Sequence, residues 1–143
     1  MRPLGVTLIG FYQLLRGVLG VLFGLSIIAF TSLTARLVSL AAESNAVGRW
    51  LHGFGHLAGV VIIVFGVLHL VAGYGVLGMQ NWGRLLTILF SAIGMFLLLP
   101  GLAGGHIFSV VFGFINGVSI IYLAMPPVKR AFHAHGNPMR MAA

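Results

Sequence analysis

Residues 56–78 read HLAGVVIIVFGVLHLVAGYGVLG. No acid, lysine or arginine interrupts the run, and as a helix it extends about 35 Å, enough to cross a hydrocarbon core of about 30 Å. A surface helix of a soluble protein keeps a polar stripe, whereas here valine, leucine and isoleucine point in every direction. Three further apolar stretches lie at 4–30, 83–99 and 106–125, the first interrupted by Arg16 and the second carrying Arg84 near its start. Over all 143 residues, 59% are hydrophobic and 6% charged, against roughly a quarter charged in a soluble domain. The expected fold is therefore all-α, an integral membrane bundle of four transmembrane helices. It forms a single membrane domain over residues 1–143, with one long outer loop at 31–55 and a tail at 126–143.

Arg2 precedes the first stretch as it would in a signal peptide, but the stretch is too long for the apolar part of one and no small-residue cleavage site follows. It is expected to be a retained helix. Basic residues near the span ends set the orientation. Arg2, Arg84, Lys129, Arg130 and Arg140 fall on one side, Arg36 and Arg49 on the other. The richer side is expected to be the cytoplasm, so both termini are inside, and the expected location is a bacterial inner membrane. Trp82 and Trp50 stand beside Arg84 and Arg49, where interfacial aromatics anchor a span. The net charge of +7 flanks the spans rather than forming a patch interleaved with aromatics, which suits anionic lipid headgroups and not nucleic acid. Without cysteine there is no disulfide, thiolate metal site or thiol nucleophile.

Helices in lipid approach closely where small residues let backbones touch. Gly10, Gly17, Gly20 and Gly24 make such a stripe on the first helix, and Gly55, Gly59, Gly66 and Gly73 on the second. Gly83, Thr87, Ser91 and Gly94 do so on the third, and Gly105, Ser109, Gly113 and Asn116 on the fourth. Leu33, Leu37, Leu40 and Ala41 recur at helical spacing inside the outer loop, predicting a short amphipathic helix on the outer surface.

The chain opens Arg2-Pro3-Leu4-Gly5-Val6-Thr7. It carries Tyr74-Gly75 and then Asn81-Trp82-Gly83-Arg84 around its inner turn, Asn116-Gly117 in the last span, and Pro127-Val128-Lys129-Arg130-Ala131-Phe132 at its exit. In these features it resembles a group of small bacterial four-pass membrane proteins that begin Arg-Pro-x-Gly-Val and end Pro-x-Val-Lys. The resemblance implies the four-pass topology and no activity. Arg16 and His69 depart from it, standing where apolar or small residues are expected.

Polar residues at membrane depth are the functional candidates. Arg16 falls near the midplane of the first helix, where a charge costs roughly 3 kcal/mol, so it is expected to face the bundle interior or a partner. Gln13 lies within the glycine stripe of the same helix. His69 and Asn116 come to a similar depth on the second and fourth helices, so that Arg16, Gln13, His69 and Asn116 can form one buried polar cluster or ligand-binding site. Each can equally bond a neighbouring helix and merely fix packing. His52 and His56, at i and i+4, and His106 are expected near the outer face, a spacing that suits a metal or the axial ligation of haem. His69 alone would suit the magnesium of a chlorophyll-type pigment. Against a metal stands the lack of neighbouring carboxylates.

With one acid in the chain, the membrane carboxylate of a proton-coupled exporter is missing. There is no Ser/His/Asp set, phosphate loop or paired carboxylate, so the chain is not expected to be an enzyme. Two classes of function follow. One is a non-catalytic accessory or scaffold subunit of a larger membrane complex, an electron-transfer or pigment-containing complex being one such. The other is a small oligomeric transporter or channel-like protein with a polar path at Arg16, His69 and Asn116.

Overall fold

The structure is a computed structural model that describes residues 3–41 and 46–135. Arg2, Glu43, Arg140 and the tail from 136 onward, which enter the charge and tail expectations above, lie outside the described residues. The described residues are all-helical, with five helices among them: α1 (Leu4–Ala41), α2 (Ala46–Leu77), α3 (Asn81–Ala103), α4 (Ile107–Ala124) and α5 (Pro126–His135). The first four are long and apolar enough to cross a membrane.

Three boundaries differ from expectation. The loop expected at 31–55 is helical up to Ala41 and again from Ala46, so the amphipathic segment is a continuation of α1. No proline or glycine lies between Phe30 and Ala41 to stop the helix. The hydroxyls there turn back on their own backbone instead of breaking it: Thr31 donates to the Ile27 carbonyl oxygen at 2.7 Å, Thr34 to Phe30 at 2.9 Å and Ser39 to Arg36 at 2.8 Å. The third helix runs past Pro100 to Ala103, ending where the Gly104 N–H donates to the Pro100 carbonyl and Gly105 takes a positive φ of 68°. The expected tail starts with α5. Met125, forced into extended backbone (φ −59°, ψ 137°) by the proline after it, ends α4, and Pro126 and Pro127 occupy the first turn of α5, where a missing N–H costs nothing.

By its contacts the chain divides into two compact units, Leu15–Leu70 and the remainder, Met1–Leu14 with Val71–Ala143. The Leu15–Leu70 unit is a helical hairpin made by parts of α1 and α2. Its two arms meet backbone to backbone. A Cβ on Gly66 would lie 2.7 Å from the Val21 amide nitrogen and 2.9 Å from the Gly17 carbonyl oxygen, and one on Gly24 would lie 2.7 Å from the Gly59 carbonyl oxygen. Nearer the turn, one on Gly48 would lie 3.1 Å from the Ala35 carbonyl oxygen. Gly17 and Gly24 are seven residues apart, as are Gly59 and Gly66, so the close approach repeats with the seam of a left-handed pair.

The other unit combines the start of α1, the end of α2, and α3, α4 and α5. Its apolar core joins Val6, Ile9, Val76, Met79, Leu123, Val128 and Phe132, with Ile88, Tyr122 and Ala131 packed against it. Val128 and Phe132, one helical turn apart, tie α5 into this core and leave Lys129, Arg130 and His133 exposed. Arg84 is buried at the same end, donating from Nη1 to the Leu123 carbonyl oxygen and from Nε to Asn81 Oδ1, both at 3.1 Å.

Candidate functional site: a buried polar layer

In the five-helix unit the side chains change character one turn above the apolar core. On α1 the inward positions run Val6, Ile9, Gln13; on α4, read backwards, Leu123, Ser119, Asn116; on α3, Arg84, Thr87, Ser91, and all of these are buried. Steps of three and four residues keep each series on one helix face. Gln13, Thr87, Ser91 and Asn116 expose no surface at all. The outside of the unit has the opposite chemistry: Leu8, Phe11, Leu85, Leu89, Phe114 and Ile121 are exposed.

The hydroxyls in this layer do not all behave alike. Ser119 donates to the Ile115 carbonyl oxygen at 2.8 Å, the return to the previous turn by which a helix absorbs a serine. Thr87 Oγ1 and Ser91 Oγ make no hydrogen bond, nor do Gln13 Oε1 and Nε2 or the half-buried Tyr12 Oη. A buried polar group left unsatisfied costs about 1 to 3 kcal/mol, so this is a layer with donor and acceptor capacity held in reserve. Arg84 apart, it is a layer of amides and hydroxyls, which can orient a small hydrogen-bonding molecule.

Two candidates lie in the hairpin unit. His69 is buried, and its Nδ1–H donates to the Phe65 carbonyl oxygen at 2.9 Å. That bond selects the tautomer, so the neutral ring carries its lone pair on Nε2. Arg16 is half-buried on α1. The four residues expected as one cluster thus fall as Gln13 and Asn116 in one unit and Arg16 and His69 in the other.

His52 and His56 stand ring to ring, centroids 5.3 Å apart and tilted by 42°. His106 is the residue preceding α4 and makes no side-chain capping bond. Among the described residues, no group of three or more histidine, cysteine, aspartate or glutamate side chains could hold a metal ion; His52 and His56 belong to the hairpin unit and His106 to the other.

Comparison with protein-family models, with curated proteins and with solved structures finds no match to this chain.

Thr87, Ser91, Ser119 and Arg84 belong to the buried polar set without having been singled out as candidates. Thr87 and Ser91 stood in the small-residue stripe of α3 and Arg84 among the inner-side charges. The signal for them was the 84-87-91 spacing, which puts all three on the helix face opposite the exposed leucines.

Proposed function

We propose that this chain is an integral membrane protein of four spans that serves as a non-catalytic accessory or scaffold subunit of a larger membrane complex. The observation that supports it is a mismatch between apolar length and bilayer. With 38 residues, α1 is about 57 Å long, and at a tilt of 40°, the upper end of the observed range, it still rises about 44 Å along the membrane normal. A core of about 30 Å is used up by around residue 30 even then. Yet α1 goes on presenting Leu33, Leu37 and Leu40, the last 85% exposed, and α2 begins with exposed Val47. Apolar side chains carried past the hydrocarbon region need another apolar surface, and a partner polypeptide supplies one. The polar inside and apolar outside of the five-helix unit, the four long apolar helices and the basic flanks favour a bacterial inner membrane with both termini cytoplasmic.

Photo-crosslinking decides between partner and lipid. A photoreactive amino acid at Leu37 or Leu40 should trap a second polypeptide in native membranes, whereas the same probe at Leu19 should trap lipid. Lipid products alone at all three positions would refute the subunit reading. An absorption spectrum of the mildly extracted particle then tells whether the complex carries haem or pigment.

A transporter with a polar path is the second reading, favoured by the reserve of unbonded groups at Gln13, Thr87 and Ser91. The apolar cluster from Val6 to Phe132 lies directly beneath them and opposes a standing path at that end.

A further inference from the structure

The hairpin unit carries a groove of about 410 Å³ near its turn, lined by Ser32, Ala35, Arg36 and Ser39 of α1 and by Gly48, Arg49 and His52 of α2. Gly48 makes this space by lying against the Ala35 backbone. Ser32, Arg36 and Ser39 are at i, i+4 and i+7 on one face of α1, and Arg49 and His52 at i and i+3 on α2. Two arginines, each carrying a guanidinium with five N–H donors that match phosphate oxygens in pairs, therefore line one cleft. Ser32 Oγ and His52 Nδ1 face each other at 3.5 Å, and with the serine donating, His52 keeps an Nε2–H for a ligand. The Ser39 hydroxyl is committed to the Arg36 carbonyl oxygen and adds no donor. Two fixed positive charges outnumber the single acid of the entire chain, so the groove is net cationic. Arg49 also lines a second groove of about 340 Å³, formed with Trp50, Gly53, Phe54 and Leu57. There Trp50 stacks on Phe54 with ring centroids 5.5 Å apart, and Gly53 leaves the surface open, since a Cβ there would meet nothing within 4 Å.

We infer that the Arg36–Arg49 groove binds the headgroup phosphate of an anionic phospholipid, with an acyl chain of the same lipid lying along Trp50, Phe54 and Leu57. A cationic, donor-rich cleft that shares one arginine with an apolar aromatic channel has the two-part chemistry of such a lipid, and a free anion would leave the second part without a role. The inference rests on the membrane reading above. The purified full-length chain in nanodiscs of phosphatidylcholine, with and without phosphatidylglycerol, provides the test, with lipid retention read by native mass spectrometry and Trp50 fluorescence. Phosphatidylglycerol should be retained selectively, and Arg36→Gln with Arg49→Gln should weaken it at least about tenfold, the equivalent of one charged hydrogen bond. Lys129→Gln with Arg130→Gln, which removes the same charge at α5, should leave retention within about twofold of the parent. Phe54→Ala should weaken lipid retention. Equal retention in the Arg36/Arg49 variant and the parent, or an equal loss in the Lys129/Arg130 variant, would overturn the site. Inorganic phosphate binding as tightly as the lipid, with Phe54→Ala silent, would overturn the lipid in favour of a free anion. Partition of every variant into the membrane fraction separates a failure of the site from a failure of the membrane reading.

Discussion

Arg84 shows how a residue that marks topology can also hold structure. Its guanidinium donates to the Leu123 carbonyl oxygen in the last turn of α4, where backbone acceptors lack helical partners and the helix dipole favours a cation. Arg84→Met should lower stability by about 1 to 3 kcal/mol, and Arg84→Lys should restore only part of it, because an ammonium cannot reach Leu123 and Asn81 as the fork does; unfolding of the detergent-solubilised chain measures both. Thr87 gives the opposite expectation. Its hydroxyl has no partner, so the near-isosteric Thr87→Val should raise stability by about 1 kcal/mol if the layer is purely structural. A loss of stability of that size would mean that a bound molecule holds the hydroxyl in the native protein. Residues of this kind were only half visible in the sequence. Gln13 and Asn116 stand out as long amides in apolar runs, but Thr87 and Ser91 are small enough to pass as packing residues. Whether a hydroxyl bonds its own helix or points away depends on a side-chain rotamer that spacing does not encode.

Helices α1 and α2 approach each other through positions at which any side chain would strike backbone. Gly66→Leu should therefore separate the hairpin arms, since the Val21 amide and the Gly17 carbonyl cannot move aside. Gly53→Ala, open to space, should gain about 0.5 to 1 kcal/mol of helix propensity. A lower unfolding midpoint for Gly66→Leu and a raised one for Gly53→Ala, measured on the detergent-solubilised chain, would check the pair. At α5, Phe132→Ala removes a fully buried ring and should cost about 3 to 5 kcal/mol, visible as a lower unfolding midpoint. The existence of four long apolar helices was readable from composition and run length alone, because both are properties of many residues at once. Their ends were not. Hydropathy falls near Phe30 while the helix continues to Ala41, as the backbone answers to the absence of breakers and not to polarity. Helix α5 leaves little trace in the sequence because its ten residues hold two buried anchors, Val128 and Phe132, too few for a periodic pattern.

For the molecule entire, the expectation is both termini on one side of the membrane. A fusion after Met125 to a reporter active only outside the cytoplasm should be silent, and one near Ser44 active; the reverse pattern would invert the topology. The charges that specify this are few and lie at helix ends, which is why orientation can be argued from sequence while the division into two units cannot. That division depends on which segments far apart in the chain meet. The hairpin unit is continuous, Leu15–Leu70, whereas the other joins Met1–Leu14 to everything after Leu70. Synthesis runs from the N-terminus, and local contacts form before distant ones. The hairpin can thus close as soon as α2 has left the ribosome. Val6 and Ile9, translated before the rest of their core, must wait for Leu123, Val128 and Phe132. The first turns of α1 are a hydrophobic surface awaiting its complement until α5 has been made, and a chain truncated before α5 should be cleared by membrane proteases even though all four of its spans have been inserted.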